Sequence, residues 1–388
     1  MSSAHRQSPG EQDGSPTPPA YISLDRGDIP ATFVPRGTAD GRGDRSRSER
    51  TDSKRDQRVS DDADDADFFH HVPVMAAEIV SLFATVPSGY VLDATLGGGG
   101  HAELLLEAYP SLSILGIDRD ASALEAASRR LGRFGNRFTA VHSRFDHLRT
   151  AMNTARISEI SGALFDLGVS SPQLDRAERG FSYRNDAPLD MRMDVSQPWS
   201  GADVVNGYTE DQLIRVLFEN GDERFAPRIA RAIIANRPIE STAELAGIIV
   251  AAIPAAVRRT GGHPAKRSFQ AIRIEVNREL EILPDALDEA ISATVIGGRV
   301  AVLSYHSGED RIVKERFRSA ETGDCVCPPN LPCVCGALRT VRLVRRIAKT
   351  PTTDEIAGNR RAASARLRVV EKIEQDVIRI LDETTEPR

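Results

Sequence analysis

Four consecutive glycines, Gly97 to Gly100, follow directly on the short apolar run Tyr90–Leu96, and they restrict the fold more than any other feature of the chain. Without a Cβ the backbone can take positive φ and approach a ligand closely, so an apolar strand feeding such a turn and then a helix marks a ligand-binding strand end. The pattern continues beyond the turn. Ser113–Asp118, Arg137–Val141 and Ala163–Leu167 are further short apolar runs, and Leu124, Ala127 and Leu131 recur at helical spacing between the first two of these. Strands alternating with helices at this spacing predict an α/β fold with a parallel sheet covered on both faces.

The ligand class follows from the residues around the turn. Gly97, Gly99 and Ala102 fit the G-x-G-x-x-A spacing of dinucleotide folds, a weak signal alone. Asp118 ends the second strand about twenty residues on, where a carboxylate can accept ribose hydroxyls. Together they predict an adenosine-containing cofactor. Asp93 and Asp166 stand at or near the carboxyl ends of two strands flanking the turn. Two carboxylates oppose a pyrophosphate but suit an ammonium and a sulfonium, which favours S-adenosylmethionine over a dinucleotide.

After Gly168 the alternation stops for over a hundred residues. Thr209–Gln212 and Ser241–Glu244 read as capping boxes. The apolar stripes Leu213, Leu217, Phe218 and Leu245, Ile248, Ile249 follow them, with two more at Ile229, Ile233, Ile234 and at Phe269, Ile272, Val276, Leu280. Residues 171–283 are thus predicted to be a helical insertion between core segments 68–170 and 284–375. The sheet resumes at Arg299–Tyr305, and late strands near Val341–Ile347 and Ala365–Val370 are expected to close it. Residues 1–67 are rich in Gly, Pro, Ser, Asp and Arg, a composition that cannot offset its ordering entropy. They are expected to be a disordered extension, dispensable for catalysis, and 376–388 a flexible tail.

Global charge decides little. The net charge is -6, and residues 1–69 carry ten basic against fourteen acidic side chains, so only local basic clusters bear on a nucleic-acid partner. No apolar run approaches the ~18 residues that span a bilayer, and the first thirty residues lack the order of a secretory signal. With only four cysteines, all between Cys325 and Cys335, no disulfide framework is expected. The expected location is the cytoplasm.

From Asp166-Leu167-Gly168-Val169-Ser170-Ser171-Pro172-Gln173-Leu174-Asp175 onward the chain resembles a known family. With His71–Val74, the Asp93–His101 loop, Arg179–Ser182, Pro188–Asp194, Glu223–Ala226, His263–Gln270 and His306–Asp310, it is similar to the bacterial 16S ribosomal RNA (cytosine-N(4))-methyltransferases of the MraW type, in order over residues 70–370. The resemblance implies a class I S-adenosylmethionine-dependent methyltransferase core, Rossmann-like with a mostly parallel seven-stranded sheet, interrupted by a helical domain. It also implies N(4)-methylation of a cytidine in the decoding region of 16S rRNA, with the small ribosomal subunit as partner. Carried over residue by residue, it places Gly99, Gly100 and His101 at the methionine end of the cofactor, Asp118 at the ribose, Phe145 beside the adenine, and Asp166 and Gln173 completing the pocket. Two departures stand out. Asp166–Ser171 replaces the Asn/Asp-Pro-Pro-aromatic motif of many amino-group methyltransferases, and Gly308 stands where the family often has Leu.

Cytosine's exocyclic amine is a weak nucleophile because its lone pair is delocalised, so an acceptor for its protons is needed beside the methyl donor. Asp166 is the best-placed acceptor, in chemistry or in cofactor binding alone, with Ser170, Ser171 and the Tyr305–His306 pair as alternatives. RNA contacts are expected from two basic stretches, which include Arg258, Arg259, Lys266 and Arg267 in the first and Arg345 and Arg346 in the second. Cys325, Cys327, Cys333 and Cys335 are spaced C-x-C-x5-C-x-C. Structural zinc usually uses wider C-x2–4-C pairs, so the reading is a surface loop of reduced thiols and no metal. The rival functions are a dehydrogenase, against which the ordered motifs speak, and a non-catalytic RNA-binding ribosome assembly factor retaining the cofactor pocket.

Overall fold

The computed structural model describes residues 22–23, 73–258, 262–328 and 333–377. Strands β2 (Gly89–Asp93), β3 (Leu112–Asp118), β4 (Phe138–His142), β5 (Ile160–Asp166) and β6 (Thr294–Ser304) are parallel. β7 (Leu338–Leu343) and β8 (Arg366–Val377) complete the sheet, with β8 antiparallel to both of its neighbours. The order across the sheet is β4-β3-β2-β5-β6-β8-β7, the seven-stranded class I methyltransferase arrangement. The two residues of β1 (Ile22–Ser23) add an eighth, outermost strand, pairing parallel with Val141 and His142 of β4. Part of the expected disordered extension is therefore strand. The rest of 1–67 and the tail beyond Val377 lie outside the described residues.

Side-chain alternation along each strand divides the core in two. On β5, Leu164 faces a cluster with Val91, Ile114 and Leu105, built under α1 (Ala76–Phe83), α2 (Gly100–Ala108) and α3 (Ala121–Leu131). Ala163 and Phe165 face the opposite cluster, with Met152 of α4 (Leu148–Thr154), Leu287 and Phe317. The chain winds from β2 toward β4 on one side and from β5 toward β6 on the other. The carboxyl ends of β2 and β5 thus diverge into a crevice at the switch point.

The insertion begins with α5 (Ser171–Asp175) and continues through α6 (Gly201–Gly207), α7 (Glu210–Glu219), α8 (Ala226–Ala235), α9 (Thr242–Ala252), α10 (Ala255–Arg258) and α11 (Lys266–Asn277). Leu213, Leu217, Ile229, Ile233, Leu245, Phe269 and Ile272 share a third core of its own. Thr209 and Gln212 form a full capping box. Ser241 forms half of one: its hydroxyl accepts from Glu244 N, but the Glu244 carboxylate takes the N–H of Glu240. Phe218, expected in the buried stripe of α7, is 63% exposed, because its place on that face belongs to Val216. The apolar run through Leu280 is broken at Arg278, whose φ of 54° ends α11 and starts α12 (Glu279–Ala293) in a new direction. Leu283, Ala286, Leu287 and Ala290 of α12 pack on the sheet, so the insertion's own core stops at Val276 rather than at residue 283. α13 (Ser307–Thr322) follows β6, and α14 (Thr353–Gly358) lies between β7 and β8. Among the described residues no helix is long and apolar enough to cross a membrane.

Candidate active site

A cavity of about 380 Å³ occupies the crevice at the switch point. Its floor is the glycine turn. Gly97 takes a φ of 50°, and its N–H donates to Asp118 Oδ2 at 2.7 Å, while Asp118 Oδ1 accepts from Asp120 N at 2.8 Å. Asp118 therefore ties the turn to the end of β3 and still has lone pairs to offer the cavity. Burial pushes its carboxyl up to about 6, against the two backbone donors that favour the charged form.

Asp166 ends β5 on the other side of the turn. Tyr305, one residue beyond β6, donates its hydroxyl to Asp166 Oδ1 at 2.6 Å, and His101 Nδ1 lies 3.6 Å from Oδ2. His101 Nε2 is 2.9 Å from the carbonyl of Val74, which can only accept, so the proton is on Nε2. Burial, reinforced by the Asp166 charge, pushes the Tyr305 phenol far above its usual range and keeps it a donor. Asp93 does not share this role. It is sealed beneath the turn with 2% exposure, accepts from Thr95 N, and is pushed up to about 7 by burial, with Asp166 and Asp118 adding to the effect. Of the three aspartates around the turn, Asp118 and Asp166 face the cavity and Asp93 does not.

The remaining expected residues divide. Gly100, His101, Phe145, Ser170, Gln173 and His306 all line the cavity. Phe145 also packs edge-on against Phe165, with centroids 5.9 Å apart. Gln173 accepts from Ser170 N and donates to Asp120, so its amide shapes the loop above the cavity. Gly99 does not line the cavity. A Cβ there would lie 2.9 Å from Leu131 Cδ1, so this glycine is needed where α2 approaches α3. Ser171 opens α5 outside the lining, and its side chain is beyond the described residues. His306 caps α13: Nδ1 accepts from Glu309 N, and Nε2 lies 3.1 Å from Glu309 Oε1 without the alignment of a hydrogen bond. Both nitrogens are thus turned to the helix start. Gly308 lies against this ring and Leu280.

The opposite wall comes from the insertion. Lys266, Gln270 and Arg273 of α11 line the cavity. Arg273 is paired with Glu279 through two contacts of 2.9 and 3.0 Å, whereas Lys266 is exposed and has no carboxylate partner among the described residues. Core and insertion are tied by buried polar contacts. Arg179 donates to Asp120 at 2.9 Å and to the carbonyls of Arg192 and Met193, and Arg119 donates to the Asn277 carbonyl and to Gln197. Burial opposes the charge on Asp120, but Arg179, Ser122 and Gln173 outweigh it and hold the carboxyl below its usual range.

Past Tyr305 and His306 the cavity opens into a groove of about 910 Å³, lined by Phe218, Arg267 and Arg311 among others and sharing Lys266 and Gln270 with the cavity. Arg267 and Lys266 are thus brought to the site. Arg258 is exposed, donates to the Ile253 carbonyl, and lines neither space, and Arg259 lies outside the described residues. Arg345, ion-paired with Glu321, and the exposed Arg346 follow β7 and also line neither. Sequence reasoning missed Gln270, Arg119 and Phe218. The one available signal was that Gln270 falls one helical turn after Lys266.

Comparison with known proteins accords with this geometry. A ribosomal RNA small subunit methyltransferase H from Thermobifida fusca is 50% identical over 309 residues, which cover 78% of this chain and 93% of that protein. One from Saccharopolyspora erythraea is 49% identical over 314 residues, covering 79% and 94%. Among solved structures, a rRNA methylase from Streptococcus thermophilus overlaps 77% of this chain and 94% of its own at 12% identity and a TM-score of 0.34, too loose to add to these. The model of the MraW methylase family matches residues 68–373, a span that takes in strands β2 to β7 and most of β8, the glycine turn, both cavity aspartates and the insertion. On that match, and on relatives identical at half their positions, this chain belongs to the MraW methylase family.

Proposed function

We propose that this methylase transfers a methyl group from S-adenosylmethionine to N(4) of a cytidine in the 16S rRNA of the small ribosomal subunit, in the decoding region. The observation that carries the reading is the division of one cavity. Its sheet side presents the carboxylates Asp118 and Asp166 around a bare backbone turn, and its insertion side presents the exposed cation Lys266. Carboxylates around the turn suit a cationic cofactor and oppose a pyrophosphate. A cationic wall leading into an open groove suits RNA phosphates.

S-adenosylmethionine supplies, when bound, an electrophilic methyl group on a sulfonium. The chain's own residues do the rest. Asp118 accepts from the ribose hydroxyls, Gly97 and Gly98 let the backbone lie close beneath the ligand, and Phe145 offers an apolar ring to the adenine. Asp166, its rotamer fixed by Tyr305, accepts a hydrogen bond from the target amine. That contact draws the nitrogen toward a tetrahedral geometry and leaves its lone pair free for in-line attack. The displaced proton passes to Asp166 or to water. The target base leaves its stack to reach this depth, and Phe218 on the groove is a platform on which a neighbouring base can stack.

Mass spectrometry of rRNA nucleosides from cells with and without the protein tests the reading. N(4)-methylcytidine should disappear from 16S rRNA when the protein is lost. An unchanged nucleoside profile, with ribosome assembly impaired, would give the chain to the non-catalytic alternative.

A further inference from the structure

The loop between α13 and β7 carries all four cysteines of the chain, each a free thiol, and none takes part in the site described above. Their sulfurs converge. Cys325 Sγ lies 3.5 Å from Cys333 Sγ, Cys333 Sγ 3.4 Å from Cys335 Sγ, and Cys335 Sγ 3.7 Å from Cys325 Sγ, which closes a triangle. Cys327 completes a group whose four sulfurs all lie within 4.8 Å of one another. Disulfide pairing gives each sulfur one partner at about 2.05 Å, and a closed triangle at these separations is not that pattern. A zinc ion with four sulfurs at about 2.3 Å sets a tetrahedron with edges of about 3.8 Å, close to all three measured sides.

The narrow C-x-C spacing, which argues against a metal in sequence, is answered by the shape of the loop. Val326 and Val334, the middle residues of the two pairs, are 87% and 88% exposed. Each pair therefore turns its valine to solvent, while the sulfurs on either side of it converge. The chelate closes between two facing segments rather than within one turn. The base of the loop holds them together. Gly323 sits at a φ of 54° so close to β7 that a Cβ would fall 2.4 Å from the Leu338 carbonyl oxygen. Val334 N donates to Cys327 Sγ at 3.4 Å, a bond that disperses charge on a thiolate. With both valines turned outward, the described part of the loop has no apolar core of its own to hold four thiols together.

We propose that Cys325, Cys327, Cys333 and Cys335 bind a structural zinc ion as a closed four-thiolate site. Binding releases the thiol protons and fills all four positions, so the ion has no open site for chemistry. Its effect is mechanical: it locks the loop at the root of β7, just ahead of Arg342, Arg345 and Arg346.

The full chain, purified under reducing conditions without chelator, should contain about one zinc per molecule by plasma mass spectrometry, retained through dialysis. Cobalt substituted for it should give the intense sulfur-to-metal charge-transfer absorption of four thiolates. The double variant Cys327→Ser, Cys335→Ser should lose at least about tenfold of the bound zinc while the rest of the chain keeps its thermal transition. Wild-type protein that is metal-free and takes up no zinc on titration overturns the proposal, whatever the variant does. So does a disulfide found in the native protein, and iron in place of zinc overturns the choice of metal.

Discussion

The two walls of the active-site cavity are built on opposite plans. The sheet wall uses backbone and carboxylates held by other groups: Asp118 by two N–H donors, Asp166 by Tyr305 and His101. The insertion wall uses long side chains, of which Arg273 is neutralised by Glu279 and Lys266 stays exposed. A pocket for a small cation gains from groups that cannot move, since preorganised charge need not reorient on binding. A surface for a polyanion gains from a solvated cation that can follow a phosphate. On the proposed function the sheet wall recognises the cofactor and the insertion wall the substrate, and each wall can be tested separately.

The largest effect is expected at Asp166. Asp166→Asn keeps the shape and one acceptor oxygen but loses the charge. Single-turnover methyl transfer should slow by about 10²–10⁴-fold while cofactor affinity changes modestly. Recovery of the full rate at saturating cofactor would move Asp166 wholly to cofactor binding.

The seam between the walls comes next. Arg179→Ala leaves the buried Asp120 charge without its cation and should cost about 3–5 kcal/mol, read as a lower denaturant midpoint. Because the folded Asp120 carboxyl is held below its unfolded value near 4, the wild-type seam should be at full strength above that pH. Its contribution should fade as the pH falls through the folded value, and the variant should lack this acid-side loss.

At Asp118 the expected effect is smaller. Asp118→Ala should weaken cofactor binding by ~1.5–3 kcal/mol in calorimetry, with RNA affinity unchanged. Since the free carboxyl sits at about 6, wild-type affinity should fall as the pH drops below that value, and Asp118→Asn should flatten the profile. Unchanged cofactor affinity in both variants would take Asp118 out of the pocket.

Lys266→Ala should give the smallest change. It should raise KM for ribosomal substrate a few-fold and reduce the salt dependence of binding by about one phosphate contact, with kcat and cofactor affinity intact. A loss in kcat instead would blur the division between the walls.

What was legible in the sequence is what depends on neighbours along the chain. The apolar runs gave the strands to within a few residues, the glycine turn gave the cavity floor, and the spacing to Asp118 gave the end of β3. What was not legible depends on contacts across the fold. Gly99 serves the packing of α2 against α3, which a glycine run does not reveal. Asp93 and Asp166 have the same position relative to their strands, yet one is sealed and the other faces the cavity. Phe218 fits an apolar stripe as well as Val216 does until the neighbouring helices choose between them. An arginine in the left-handed region at residue 278 has no local signature, so two helices read as one.

That single residue is also where the insertion joins the cavity wall. Asn277, on one side of it, is pinned to Met191 and Met193 of the insertion, while Glu279, on the other, lines the cofactor cavity and begins the helix that rests on the sheet. The Arg273–Glu279 ion pair spans the break, and Arg278 is itself paired with Glu281. That first ion pair therefore clasps the insertion to the helix that brings Glu279 and Leu283 to the cavity wall. The insertion and the cavity wall thus meet at one clasped bend.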